Sequence, residues 1–144
     1  MSTRSYIAIQ DSNGTCRSSY CHWDGYPEHN GLILCESYKT RADVEKLIEL
    51  GSLSKLDDTP ETCFAYHRDR GDEYDPPTVH KNRQELIEYF KGSWAEYIYL
   101  YVLGTWLCYD CHADEPKFVP LDLTDLRSKR KAMLERWYQS RREN

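Results

Sequence analysis

Ser5-Tyr6-Ile7-Ala8-Ile9-Gln10-Asp11-Ser12-Asn13-Gly14-Thr15-Cys16-Arg17-Ser18-Ser19-Tyr20-Cys21-His22-Trp23 decides the architecture. Two β-prone runs, 5–10 and 16–23, flank Asn13-Gly14. That dipeptide is the strongest short-range hairpin signal, because a type I′ turn requires positive φ at both central residues. Centring the turn there sets Ile9 opposite Ser18 and Ile7 opposite Tyr20. One sheet face then carries Ile7, Ile9, Ser18, Tyr20 and His22, and the other Tyr6, Ala8, Arg17, Cys21 and Trp23. On the isoleucine face, His22 is expected to be a core histidine bonded to backbone.

Downstream, Pro27-Glu28 opens a short helix through about Tyr38, with Leu32, Ile33 and Cys35 inward. Thr40 reads as an N-cap with Asp43 three residues on, before a stripe of Val44, Leu47 and Ile48 and a terminating Gly51. The run 62–68 alternates as a third strand, with Phe64 and Tyr66 on one face and Cys63, Ala65 and His67 on the other. A charged loop over 69–77 follows. Asn82 and Glu85 cap a helix to Lys91 with Leu86, Ile87 and Phe90 inward.

A second hairpin, 96–103 with 106–110, turns at Gly104-Thr105 as a type II′ pair. Ile98, Leu100, Val102, Leu107 and Tyr109 line one face; Tyr97, Tyr99, Tyr101, Leu103, Trp106 and Cys108 line the other. Both faces are apolar or aromatic, so this hairpin either belongs at the sheet centre, covered on both sides, or offers one aromatic face as a binding surface; the covered arrangement is the expectation. The last helix, 123–142, begins at Asp122 or Thr124 and carries Leu126, Met133, Leu134 and Trp137. The order ββααβαββα predicts a single α+β domain over 1–144. Its largely antiparallel sheet has about five strands, packed with about four helices.

The chain has 144 residues, enough for one ordinary domain, with 40% hydrophobic and 30% charged residues. Twelve tyrosines and four tryptophans stand against three phenylalanines, a bias that suits half-exposed sheet surfaces and wet binding faces. Net charge is −5, split between +3 over residues 121–144 and −8 elsewhere. The acidic body argues against a general nucleic-acid binder and fits docking on a basic partner. No signal-peptide pattern or membrane-length apolar run is visible. A cytoplasmic setting follows as the expectation, with no membrane partner and the six cysteines as reduced thiols.

Several clusters could carry chemistry. Tyr20-Cys21-His22-Trp23-Asp24-Gly25-Tyr26-Pro27 is either a ligand-facing loop or a packed corner. Cys108-Tyr109-Asp110-Cys111-His112 matches a c-type haem pattern, but that chemistry needs export. Cys21, His22, Cys108, Cys111 and His112 offer zinc donors. Cys108 and Cys111, however, fall on opposite strand faces unless the strand breaks at Asp110, and no second C-x-x-C exists. No metal and no cofactor is therefore expected, and no residue is assigned a catalytic role. In His67-Arg68-Asp69-Arg70-Gly71-Asp72-Glu73, the arginines could clamp a phosphate or carboxylate, and His67 could do acid–base work. Mutual salt bridges in a solvated loop are the simpler reading.

Met1-Ser2-Thr3-Arg4-Ser5-Tyr6-Ile7, Tyr20-Cys21-His22-Trp23-Asp24-Gly25-Tyr26-Pro27 and Ala65-Tyr66-His67-Arg68-Asp69-Arg70-Gly71 together resemble a group of small uncharacterised proteins of tailed bacteriophages, prophages and other mobile elements. The resemblance covers mainly the first half of the chain and carries no catalytic residues. It implies an accessory product acting inside a bacterial cell, with a host defence system as one class of target.

Two functions follow as expectations. The first is a non-catalytic binding or inhibitor module for a host protein, contacting it through Trp23, Asp24, Tyr26, Asp72, Glu73 and Tyr74. The alternative is a protein that sequesters or hydrolyses a nucleotide-like ligand using Arg4, His22, Asp24, His67, Arg68 and Arg70. Convergence of the second set in a concave pocket would favour the alternative.

Overall fold

The first hairpin forms one residue out of the expected register. In this computed structural model, which describes residues 2–143, β1 (Ser5–Gln10) pairs antiparallel with β2 (Cys16–Cys21). Ile9 lies opposite Arg17 and Ile7 opposite Ser19. The cause is the turn. Gly14 has φ 88° while Asn13 is not left-handed, and Asp11 N–H donates to the Thr15 carbonyl at 2.8 Å. A three-residue turn with one left-handed glycine replaces the two-residue type I′ turn. A one-residue slip moves every side chain of one strand to the opposite face. Ile7, Ile9, Ser19 and Cys21 therefore share one face, and His22 follows Tyr20 onto the other.

Beyond β2, a wide helical turn over Pro27–Gly31 continues into α1 (Leu32–Ser37). Then come α2 (Arg41–Ile48), β3 (Leu53–Lys55), β4 (Phe64–Ala65), α3 (Tyr66–Arg70), β5 (Thr78–His80) and α4 (Arg83–Lys91). The chain finishes with β6 (Tyr97–Val102), β7 (Thr105–Asp110), β8 (Phe118–Pro120) and α5 (Leu123–Glu143). Among the described residues this is an α+β fold of eight strands and five helices. The sheet is larger than the five strands expected, because β3, β5 and β8, three residues each, are too short to show a period. It is also mixed: β1–β6 and β2–β3 are parallel, the remaining pairs antiparallel.

The strand order is β4-β3-β2-β1-β6-β7-β8, with β5 sharing the outer edge of β2 with β3. The expected strand over 62–68 stops at Ala65. There the Asp69 carboxylate accepts the Ala65 N–H at 2.8 Å, and the chain coils into α3 until Gly71 ends it at φ 78°. The caps foreseen at Thr40 and Asn82 form, accepting from Asp43 N–H at 3.2 Å and Glu85 N–H at 2.9 Å. In α1, Leu32 and Leu34 are buried, rather than Ile33 and Cys35, which are only partly so.

The second hairpin turns at Leu103-Gly104, both at positive φ (47° and 82°), one residue earlier than expected. Its pairing shifts by two residues in total, so the faces survive: Ile98 meets Tyr109 and Tyr99 meets Cys108. As expected, both sides are covered. Tyr99, Tyr101, Trp106 and Cys108 join Ile7, Ile9 and the α1–α2 layer, while Ile98, Leu100 and Tyr109 join Tyr6, Ala8 and α4. Of the foreseen α5 stripe only Leu126 is buried; Leu134 and Trp137 are exposed.

Much of the tyrosine excess is structural. Tyr38, Tyr99 and Tyr101 hydroxyls and the Trp106 indole N–H donate to the carbonyls of Asp57, Gly25, Lys39 and Tyr38. Phenylalanine would leave those carbonyls without donors, at a cost of about 1–3 kcal/mol each where they are buried.

Arg17 bridges the sheet to α2. Its guanidinium donates to Asp11 at 3.0 and 3.2 Å and to Glu45 at 2.5 and 2.9 Å, while Arg41 also bonds Asp11. The Arg17 hydrogen bonds hold both carboxyls below their usual range. A carboxyl depressed in the folded state stabilises the fold above its unfolded pKa of about 4, and that stability is lost as pH falls through the folded value. Arg17→Met should therefore lower stability near neutral pH by about 1–2 kcal/mol and flatten the loss on acidification below about pH 4. Urea midpoints measured against pH check this; parallel curves for variant and parent would refute it.

Candidate interaction surface

The Tyr20–Pro27 motif is mostly a packed corner. His22 and Trp23 N–H groups extend the sheet onto the carbonyls of Leu53 and Ser54, both at 3.0 Å. Gly25 N–H donates to Thr3 C=O at 2.8 Å, and the Gly25 carbonyl accepts the Tyr99 hydroxyl at 2.5 Å. Buried Asn30 donates to Ser5 Oγ at 3.4 Å and Cys21 Sγ at 3.5 Å. Burial pushes the Cys21 thiol up to about 12, so it stays protonated and is no nucleophile. Asp24 sits at φ 56°, which swings the chain into Gly25.

A chain of rings leads from the core out to the surface of this corner. Tyr6, Tyr20, His22 and Trp23 form a chain of ring contacts with centroids 5.8, 6.0 and 4.7 Å apart. The Tyr20 hydroxyl is 2.7 Å from His22 Nδ1. Burial raises the Tyr20 phenol above its ordinary value, and the guanidinium of Arg4 beside it offsets part of the rise. Tyr66 is a further neighbour acting on the same phenol. It meets Phe64 edge-on at 6.4 Å and carries Arg70 over its ring at 4.5 Å. Tyr20, His22, Phe64 and Tyr66 thus pave the β2–β3–β4 flank on the α4 side of the sheet. α4 packs on β2 and β5, while along that flank Tyr20, His22 and Tyr66 stay half-buried and Phe64 exposed. Trp23 and Phe64 are 45% and 42% exposed.

Of the candidate residues, Arg4, His22, Trp23 and Arg70 gather around this strip through Tyr20 and Tyr66. The rest of the charged run is stitched to itself. Arg68 donates to Asp69 at 2.9 Å and to the carbonyls of Pro60 and Cys63 at 2.9 and 2.7 Å. Arg70 pairs with Asp72 at 2.6 Å. His67 donates to the Asp72 carbonyl at 2.7 Å and meets Tyr74 edge-on at 5.2 Å. Tyr74 in turn donates to Glu49 C=O at 2.7 Å, and Glu73 is exposed beside it. Tyr26 lies apart, in an open concavity of about 490 Å³ with Glu28, Lys129 and Met133. The surface is an open strip rather than an enclosed pocket.

The five residues weighed as zinc donors do not meet as one set. Cys21 and Cys108 are buried in the core, His22 belongs to the aromatic strip, and Cys111 is exposed.

No protein-family model, curated protein or solved structure matches the chain. Function rests on the geometry.

Reading the sequence missed two features of that geometry. Phe64 and Tyr66 read as residues of one strand face, and no local pattern shows that the strand stops at Ala65 with Tyr66 opening α3. Ser18 Oγ and His80 Nε2 meet at 2.9 Å, 62 residues apart in sequence, where β5 pairs with β2. Both are sealed, Ser18 at 1% and His80 at 4% exposure, and burial lowers the His80 pKa. A neutral imidazole bonded to a sealed hydroxyl clasps β5 to β2; it offers no accessible nucleophile.

Proposed function

We propose that the protein is a non-catalytic binding module whose contact surface is the aromatic flank of Trp23, Phe64 and Tyr66 with Arg4 and Arg70. The observation that carries this reading is the composition of this partly exposed flank. Tryptophan, tyrosine and arginine are the residues that concentrate binding energy at protein interfaces. An acidic rim borders the strip: residues 55–75 hold seven Asp/Glu against three Lys/Arg. That rim steers the surface to a basic partner. The resemblance to phage and prophage proteins makes a factor of the bacterial host, including a defence protein, the partner class. The host cytoplasm would be the place of action.

The test is affinity capture from bacterial lysate followed by titration of the recovered protein. Trp23→Ala and Phe64→Ala should each weaken binding about 30-fold, the effect of losing about 2 kcal/mol. Charge reversal at Asp72 and Glu73 should slow association and reduce its salt dependence. Unchanged affinity in both aromatic variants would refute the surface.

One observation favours a second reading. Arg4 and His22 meet at the Tyr20 hydroxyl, where a phosphate could bind while a base stacks on Trp23. A nucleotide in the captured eluate, lost in Arg4→Ala, would support that reading over the first.

A further inference from the structure

The turn after β7 assembles three different donor types. A carboxylate oxygen of Asp110, Sγ of Cys111 and a ring nitrogen of His112 lie within 4.8 Å of one another. Their placement is fixed by the fold. Asp110 Oδ1 accepts the His112 N–H at 2.8 Å, closing a tight turn. Cys111 N–H donates to the Glu96 carbonyl at 3.1 Å, which ties the turn to the strand entry opposite. The His112 ring is held by two further contacts: Nε2 is 2.8 Å from Glu96 Oε1, and Tyr97 meets it edge-on at 6.2 Å.

We propose that Asp110, Cys111 and His112 form a binding site for a zinc-class divalent cation, with Glu96 as the positioning residue. Oxygen, sulfur and nitrogen donors together are the set that such borderline-soft cations take. A carboxylate on Nε2–H fixes the imidazole tautomer whose Nδ1 lone pair is free to coordinate. This carboxylate–histidine–metal relay orients histidine ligands at zinc sites generally. Asp110 and Glu96 also supply two negative charges at one turn, which favours a dication and disfavours leaving the cluster bare. Binding releases the Cys111 thiol proton to solvent, so the thiolate is the ligand. Three protein donors leave the fourth tetrahedral position to water or to a donor from a binding partner.

The site is independent of the aromatic flank and needs nothing from Cys108, whose thiol stays in the core. Its signal in the sequence is the tripeptide 110–112 alone; Glu96 comes from the other strand of the hairpin.

The test uses the full chain with cobalt(II) as a spectroscopic substitute and zinc(II) in competition. The expected result is one equivalent per chain, with a thiolate-to-cobalt charge-transfer band that zinc removes. Cys111→Ser should abolish the band, His112→Ala should abolish saturable binding, and Glu96→Gln should weaken affinity about 10- to 100-fold. Cys35→Ser, which removes a different thiol, should keep the band. Zinc should also raise the melting temperature of the parent and not of Cys111→Ser, a readout that does not depend on the cobalt spectrum. Absence of saturable binding in the parent, a band surviving in Cys111→Ser, or a band lost in Cys35→Ser would each overturn the assignment. Circular dichroism of each variant identifies any that fails to fold, and for those the zinc competition is repeated with Cys111→Ala and His112→Gln.

Discussion

Gly51→Ala is expected to cost about 3 kcal/mol of folding stability, combining a left-handed backbone penalty of about 1 kcal/mol with an overpacking penalty of about 2 kcal/mol. Gly51 joins α2 to β3 at φ 79°. A Cβ there would meet the Asp75 carbonyl oxygen at 2.5 Å and a Tyr74 ring carbon at 3.1 Å. The carbonyl cannot withdraw cheaply. Ser52 Oγ donates to the Asp75 carboxylate at 2.6 Å, and Tyr74 is anchored on Glu49 C=O. The strain therefore passes into the acidic segment beside the aromatic flank. For a chain of this size the loss should lower the melting temperature by roughly 6–12 °C. Limited proteolysis should open first near residues 72–75. A melting temperature within a degree or so of the parent would show that the loop yields instead.

How much of this was legible depended on the range of each signal. The N-caps at Thr40 and Asn82 were readable because a cap needs one side chain and the N–H three residues on. The central hairpin was readable because its two apolar faces survive a two-residue register change. The first hairpin was not, since a turn one residue longer reverses Tyr20, Cys21 and His22 between faces, and Asn13-Gly14 serves either turn. The strands β3, β5 and β8, three residues each, exist through pairing partners rather than through any pattern of their own. The same distinction governs the candidate surface. Trp23 stood out by its chemistry, but Phe64 and Tyr66 join the flank only because the strand stops at Ala65 and the chain coils into α3. The relay from Glu96 to His112 depends on the pairing of β6 with β7.

The Tyr20–Pro27 motif can be divided into its structural and functional parts by a pair of substitutions. Gly25→Ala is expected to cost about 2–3 kcal/mol. Its new Cβ would lie 2.8 Å from both the Thr3 carbonyl oxygen and Ser5 Cβ, inside a corner whose carbonyl is also gripped by Tyr99. Neither neighbour is the end of a flexible side chain, so the chain from Thr3 to Ser5 must shift and β1 with it. Trp23→Ala, two residues away, removes an indole that is nearly half exposed and touches the His22 ring. Its stability should stay within about 0.5 kcal/mol of the parent, while partner affinity falls. Equilibrium unfolding of both variants, with binding measured below their melting temperatures, separates the two roles. A Gly25→Ala protein as stable as the parent would mean the corner is slack and the motif's glycine serves the surface. A Trp23→Ala protein that unfolds would mean the indole belongs to the core, and the aromatic flank would lose its anchor.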